Sequence, residues 1–111
     1  MKVDKKETYT ILGDEEDKIE NFASFLEFII PKAYAEENLI IDLQKYEEFN
    51  LHDLLCFLEI SNKQRAAKKS FVIVNKAINS DIVPEEILVA PTLQEAQDII
   101  DLEEIQRDLG F

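Results

Sequence analysis

The chain has few of the residues on which most enzyme chemistries depend. Among its 111 residues are one Cys, one Met, no Trp and a single His. One cysteine can form neither an internal disulfide nor a Cys-based zinc site, and one histidine is too few for most metal centres and redox sites. The two glycines, Gly13 and Gly110, cannot build a phosphate-binding glycine motif. We therefore expect no catalytic residues, no metal and no cofactor, so that the protein is not an enzyme.

Long apolar segments are also missing. The unbroken apolar runs are only a few residues long, as in FVIV at residues 71–74, whereas a membrane-spanning helix needs about 20. The first ten residues contain lysines without an apolar segment behind them, which is not the pattern of a secretory signal. Together with the free thiol and the acidic composition, these features predict a cytoplasmic protein with no membrane partner.

Positive charge is scarce. Twelve Lys and Arg stand against twenty-four Asp and Glu, which gives a formal charge of −12. Such a chain repels phosphate backbones, so we expect no nucleic-acid partner. The one basic cluster, within residues 63–69, has no interleaved aromatic residues and is typical of the negative end of a helix. An acidic protein or a second copy of this chain could use the same cluster, so a homodimer stays open.

Apolar residues make up 46% of the chain, which is typical of a folded protein. The length predicts one domain over residues 1–111. Residues 1–12 have an extended pattern that suits a short hairpin, and apolar runs at 39–43, 70–75 and 87–89 predict further strands. The alternation of strands and helices predicts an α/β fold: a small mixed, centrally parallel sheet of about 4–5 strands with helices packed on it.

Three helices are predicted from apolar spacing and capping residues. The first opens at the acidic residues 14–17 and ends or kinks near Pro31, with Phe25 and Phe28 outside its apolar face. The second runs from about residue 51 to 68, with Asn50 and Asp53 as its capping pair. The third starts at Thr92, where Glu95 completes a capping-box pattern.

Three candidates for chemistry have simpler explanations. The acidic run at 14–17 lacks the alternating ligands and turn glycine of a calcium loop, and a solvated helix start accounts for it. His52 has a neighbour, Asp53, that could orient it but no evident nucleophile, so we interpret it as an exposed histidine of the first helical turn. Cys56 lies beside a leucine stripe with no basic neighbour, which favours a buried, reduced thiol.

Residues 38–101 resemble the STAS domains of anti-sigma-factor antagonists. The similarity rests on Leu39–Leu43 followed by a leucine-rich helix, on the strand Ser70–Asn75, and on Ala90–Ala96 with its T-L-x-E-A pattern. The resemblance implies a small mixed sheet with helices and a role in protein–protein regulation. In that family a Ser or Thr in a D-S-[ST]-G loop before the second helix is phosphorylated, which switches partner choice by adding charge.

The stretch that matches this loop is Asn50-Leu51-His52-Asp53, which contains no hydroxyl residue. The phospho-switch is therefore expected to be lost. Asp53 either supplies a permanent negative charge to a docking site or is an ordinary acid at a helix start. We expect a non-enzymatic STAS-like interaction module that docks a protein partner through Asn50, Leu51, His52, Asp53, Phe57, Leu102, Ile105 and Leu109.

The last three of these residues belong to a helical extension at about 101–111. Leu102, Ile105 and Leu109 have the spacing i, i+3 and i+7, so they form an apolar stripe that either folds back on the domain or enters a partner groove. An alternative function is a small-ligand sensor with an apolar pocket. The surplus of phenylalanines, seven in all, leaves material for such a pocket.

Overall fold

Five strands form one mixed sheet in the order β1-β2-β3-β4-β5 in a computed structural model, which describes residues 1–110. The strand β1 pairs antiparallel with β2, whereas β2, β3, β4 and β5 run parallel to one another. The bounds are β1 Lys2–Lys5, β2 Thr10–Gly13, β3 Leu39–Asp42, β4 Phe71–Val74 and β5 Leu88–Ala90. The predicted α/β class, with a small and centrally parallel sheet, is confirmed.

Four α-helices connect or follow these strands. They are α1 Ile19–Ile29, α2 Leu51–Leu55, α3 Leu58–Ala66 and α4 Leu93–Asp108. A π-helical turn, Ile30–Tyr34, continues α1, and a 3-10 turn, Ser80–Ile82, lies between β4 and β5. The helix therefore changes geometry at Pro31, as the sequence predicted, because proline removes a backbone donor from the α-helical ladder.

The helices cover both faces of the sheet. Alternate strand residues point to opposite faces, and the buried residues of β3 accordingly divide between two clusters. Leu39 and Ile41 pack with α1, α2 and α3 in the larger cluster, whereas Ile40 packs with Ala96 and Ile100 of α4 in the smaller one. All four residues of β4 are buried, which agrees with the prediction of a strand covered on both sides.

The start of α1 differs from the prediction. The helix begins at Ile19 with Lys18 at the N-cap position, so the acidic run 14–17 precedes it. The acids form contacts with the loop instead: the carboxylate of Asp14 accepts from the amide of Glu16 at 2.8 Å, and Asp17 lies 3.2 Å from Lys45. The N-cap residue, Lys18, makes no side-chain capping hydrogen bond, so the acidic run does not serve as the helix cap.

The predicted helix 51–68 is divided into α2 and α3, and Phe57 lies at the break between them. The amides of Cys56 and Phe57 donate to the carbonyls three residues earlier, Asp53 and Leu54, which tightens the chain before α3 begins. Phe57 then turns inward. Its side chain is fully buried and packs edge-to-face on Phe22, with ring centroids 6.5 Å apart. Phe57 is a core residue, so the expectation that it contributes to a docking surface is wrong.

The predicted C-terminal extension is continuous with α4, which runs to Asp108. Phe111, the last residue of the predicted domain and extension, lies outside the described residues. The polar side of this segment faces the domain. Arg107 donates to Ser70 Oγ at 3.0 Å, and Glu103 accepts from Arg65 of α3 at 2.8 Å. The segment therefore packs on the domain through polar groups.

Candidate functional site

The start of α2 is fixed by a complete capping box. Asn50 has extended backbone angles, and its Oδ1 accepts from the Asp53 amide at 2.9 Å. In return, Asp53 Oδ2 accepts from the Asn50 amide at 3.2 Å. Both side chains therefore satisfy backbone donors that a helix start leaves free. The capping pair predicted from sequence is confirmed, and the Asp53 carboxylate is held in place at the positive end of the helix.

The outer face of α2 carries an apolar ridge. Leu51 and Leu55 are four residues apart, so they lie on the same side of the helix, and both are exposed. Leu54 instead points into the core. His52 is exposed beside the ridge, with Nε2 3.5 Å from Oε1 of Glu20 on α1. We call the surface formed by Asn50, Leu51, His52, Asp53 and Leu55 the α2 surface.

An acidic cleft of about 490 Å³ borders the α2 surface. Its walls include Asp17 and Glu20 from one side and Tyr46 and Asp53 from the other. Tyr46 donates its hydroxyl hydrogen bond to the Asp14 carboxylate. The buried Asn75 holds this wall in place, because its side-chain amide donates to the Leu43 and Tyr46 carbonyls at 2.9 and 3.0 Å. The cleft therefore lies at the carboxyl ends of the parallel strands, where α/β sheets commonly bind ligands.

Two groups in or near this cleft that could act as nucleophiles, Tyr46 and Cys56, have raised pKa values, which favours their protonated forms. Burial and the hydrogen bond to Asp14, together with nearby carboxylates, raise the pKa of Tyr46 well above its ordinary value. Burial, followed by the charges of Glu20 and Asp53, raises the pKa of the Cys56 thiol. The thiol is half-buried rather than buried, and its Sγ donates to the His52 carbonyl at 3.5 Å. A protonated thiol is a poor nucleophile.

Across residues 1–110, no three His, Cys, Asp or Glu side chains come together in an arrangement that could hold a metal ion. Nor is any described helix of sufficient length and apolarity to span a membrane. Among the acids in or near the cleft, Asp14 accepts a hydrogen bond from Tyr46 and Asp17 lies 3.2 Å from Lys45.

No protein-family model matches the chain, and no curated protein is significantly similar to it. The resemblance of residues 38–101 to STAS domains therefore stays a prediction.

The second group of predicted site residues lies on the outer face of α4. Leu102, Ile105 and Leu109 are 55%, 56% and 67% exposed. At about 100° per residue, they lie about 140–200° around the helix from the buried Ile100. We call the outward surface that they form the α4 stripe. The alternative in which this apolar stripe folds back on the domain is therefore wrong, because the segment contacts the domain through its polar side and leaves the stripe exposed.

The α2 surface and the α4 stripe are separate. The former belongs to the sheet face covered by α1, α2 and α3, and the latter belongs to the opposite face. The end of α4 also approaches the amino ends of the strands, where Arg107 and Glu104 contact Asn38 and Ser70. The sequence grouped these residues as one docking surface, whereas the fold divides them into two.

The sequence left open an apolar pocket built from phenylalanines, and the structure has a small apolar groove between α1 and α3 whose lining includes no phenylalanine. It has a volume of about 160 Å³, and its lining includes Leu26, Ile30 and Pro31 on one side and Ile60 and Ala67 on the other. Gln64 supports the wall by donating to the carbonyls of Tyr34 and Glu37 at 3.0 and 2.7 Å. Pro31 was the available signal, because a helix that changes geometry at a proline no longer packs evenly along its neighbour.

Proposed function

We propose that the protein is a cytoplasmic, non-enzymatic interaction module of the STAS-like type that docks a protein partner without a phospho-switch. The observation that carries the proposal is the α2 surface, an exposed leucine ridge beside a carboxylate fixed by the capping box. Apolar side chains exposed in a row contribute contact area, and a fixed charge contributes orientation. The raised pKa values of Tyr46 and Cys56 also favour docking over covalent chemistry.

The location supports the same proposal. The matching stretch in the resembled family is the site at which a phosphate changes partner choice. Here Asp53 keeps a negative charge at the helix start without modification, and one of its oxygens accepts from the Asn50 amide. A partner would therefore contact a negative charge and an apolar ridge that are both present without phosphorylation.

The test is quantitative affinity purification from the native cells with the Leu51→Arg variant. Placing a charge in an apolar contact should reduce enrichment of a true partner by at least about tenfold, equivalent to ~1.4 kcal/mol. Ile82→Arg is the matched control, because Ile82 is a similarly exposed apolar residue away from α2. A partner kept by the control and lost by Leu51→Arg supports the proposal.

The charge of Asp53 is tested separately by Asp53→Asn. The amide oxygen can still accept from the Asn50 backbone, so the cap is kept while the charge is removed. Partner binding that survives both Leu51→Arg and Asp53→Asn would overturn the proposed use of the α2 surface. The absence of any enriched partner for the wild-type protein would overturn the docking function.

A second candidate function, binding of a small apolar ligand, is favoured by the groove between α1 and α3. Its volume of about 160 Å³ is close to that of cavities that hold one benzene-sized molecule. Ala67→Phe should fill the groove, and Ala66→Phe is the control because Ala66 is an exposed neighbour outside the lining.

Benzene titrated into the labelled protein should shift the NMR signals of groove residues in the wild type and in Ala66→Phe. The same signals should lose at least about 80% of that shift in Ala67→Phe, because the added ring occupies the site. Shifts that are equal in both variants, or absent in the wild type, would eliminate this candidate.

A further inference from the structure

The outer face of α4 combines an apolar stripe with charge of one sign. Along Leu93–Asp108 the sequence has six acidic residues and one basic residue, Arg107. Asp98 precedes Leu102 by one turn, and Asp101 precedes Ile105 by one turn, so both aspartates adjoin the α4 stripe. Both are exposed. The stripe is therefore bordered by negative charge.

The one basic residue of α4 is turned toward the domain. Arg107 donates to Ser70 Oγ at 3.0 Å and to Glu104 Oε1 at 2.9 Å, and it also reaches the Asn38 side chain at 3.4 Å. Its charge is thus engaged on the side of α4 away from the stripe. The same contacts hold the helix on the sheet, so the stripe stays directed outward.

We propose that the α4 stripe binds a basic amphipathic helix of a partner protein. Leu102 to Leu109 spans seven residues, or about 10 Å, which matches two turns of an apposed helix. A partner with apolar residues at i, i+3 or i+4 and i+7 would cover the stripe, as in other helix-on-helix recognition. Lysines or arginines flanking those residues would face Asp98 and Asp101.

A second copy of this chain fits the stripe less well. Two α4 stripes packed together would bring acidic borders against acidic borders, and each chain carries a formal charge of −12. Like charges placed opposite one another suppress association. A basic helix would instead be attracted to the acidic borders of the stripe. This charge complementarity favours a basic helix over a second copy of the chain.

The inference rests on the proposed function, since it names the chemistry of a partner for an interaction module. It is tested with a synthetic peptide of about 16 residues made of Leu, Lys and Ala, with leucines on one helical face and lysines beside them. Isothermal titration should give binding to the full chain, and NMR shifts should map it to α4. Raising the salt concentration should weaken the binding, because exposed charges are screened.

Two pairs of variants locate the contact. Leu102→Gln with Ile105→Gln should weaken peptide binding at least about tenfold, or ~1.4 kcal/mol. The control, Phe25→Gln with Phe28→Gln, changes two exposed apolar residues of α1 and should weaken binding by less than about twofold. Asp98→Asn with Asp101→Asn should weaken binding and flatten its salt dependence. Glu47→Gln with Glu48→Gln removes the same charge from the loop before α2 and is the control.

Each of the following outcomes would overturn the inference. A scrambled peptide of the same composition could bind equally well, which would indicate charge attraction without helix recognition. The α4 variants could bind as tightly as the wild type. Alternatively, sedimentation could show a dimer that strengthens with salt and is lost in Leu102→Gln with Ile105→Gln, which would assign the stripe to a second copy.

The proposed function fails under a different result. If the peptide does not bind but the cellular partner is still lost with Leu51→Arg, the α4 inference is wrong and the docking function stands. If the peptide binds α4 but the wild-type protein enriches no cellular partner, the stripe has the stated chemistry and the docking function is wrong.

Discussion

Replacing Phe57 with alanine should lower the free energy of unfolding by about 3–5 kcal/mol, the usual cost of removing a buried phenylalanine side chain. The ring is fully buried and packs edge-to-face on Phe22. Its removal leaves a cavity between α1 and the start of α3, where neighbouring side chains can relax only in part. Urea unfolding followed by circular dichroism at the helical band measures the change.

The matched control for this experiment is Phe28→Ala. Phe28 is a phenylalanine of α1 that the sequence placed outside the apolar face of that helix, and it is 58% exposed. Its main contact is Lys32 Nζ, 4.8 Å above the ring, and exposed contacts of this kind contribute about 0.5–1 kcal/mol. Similar unfolding free energies for the two variants would contradict the core position of Phe57 and return it to the candidate docking residues.

The misplacement of Phe57 shows where periodicity is least informative. The apolar run from Leu54 to Leu58 fits one continuous helix, in which Phe57 lies beside the leucine stripe. The sequence gives no proline or glycine to mark a break there. At the break, the amides of Cys56 and Phe57 bond to carbonyls three residues back, and Phe57 packs on Phe22 of α1.

The strands and the two capped helices were predictable because their signals are local. Short apolar runs bounded by polar residues gave β3 and β4 nearly to the residue, and Asn50 and Thr92 cap α2 and α4 as their sequence patterns indicated. The prediction for the acidic run 14–17 was wrong because the sequence pattern does not distinguish carboxylates at a helix start from carboxylates in a loop. Their contacts distinguish the two, here those with Tyr46 and Lys45.

The candidate site was only partly predictable for a topological reason. Each residue of the predicted docking set could be placed on a helix, but the side of the sheet that each helix covers follows from the chain path. The separation of the α2 surface from the α4 stripe therefore needed the fold. The polar contacts that orient α4 also join residues about 30 to 70 positions apart, as between Asn38 and Arg107, and no local pattern indicates such pairs.

Asn38 is the centre of those contacts, and Asn38→Ala should lower the free energy of unfolding at pH 7 by about 2–4 kcal/mol. The side chain is buried. Its Oδ1 accepts from the Ser70 amide at 2.8 Å, and its Nδ2 donates to the Thr8 carbonyl at 3.0 Å and to Glu104. Alanine would remove these partners from the Ser70 amide and the Thr8 carbonyl, where α4 meets the amino ends of the strands, whereas Glu104 would keep its hydrogen bond from Arg107. Asn62→Ala, at an exposed site on α3, should cost less than about 0.5 kcal/mol.

The same variant should change the pH dependence of stability in acid. The hydrogen bond from Asn38, and after it that from Arg107, lowers the pKa of Glu104 below its ordinary value of 4.5. A lowered folded-state pKa stabilises the fold above the unfolded value, and this stabilisation is lost as the pH falls through the folded value. Below about pH 4.5, the free energy of unfolding of the wild type should therefore fall more steeply than that of Asn38→Ala. The difference in unfolding free energy between the two proteins should become smaller as the pH falls. Urea unfolding of both proteins between pH 7 and pH 3 measures this difference in unfolding free energy. A constant difference over this range would show that Asn38 does not stabilise the ionised Glu104, and Asn62→Ala should follow the wild-type curve throughout.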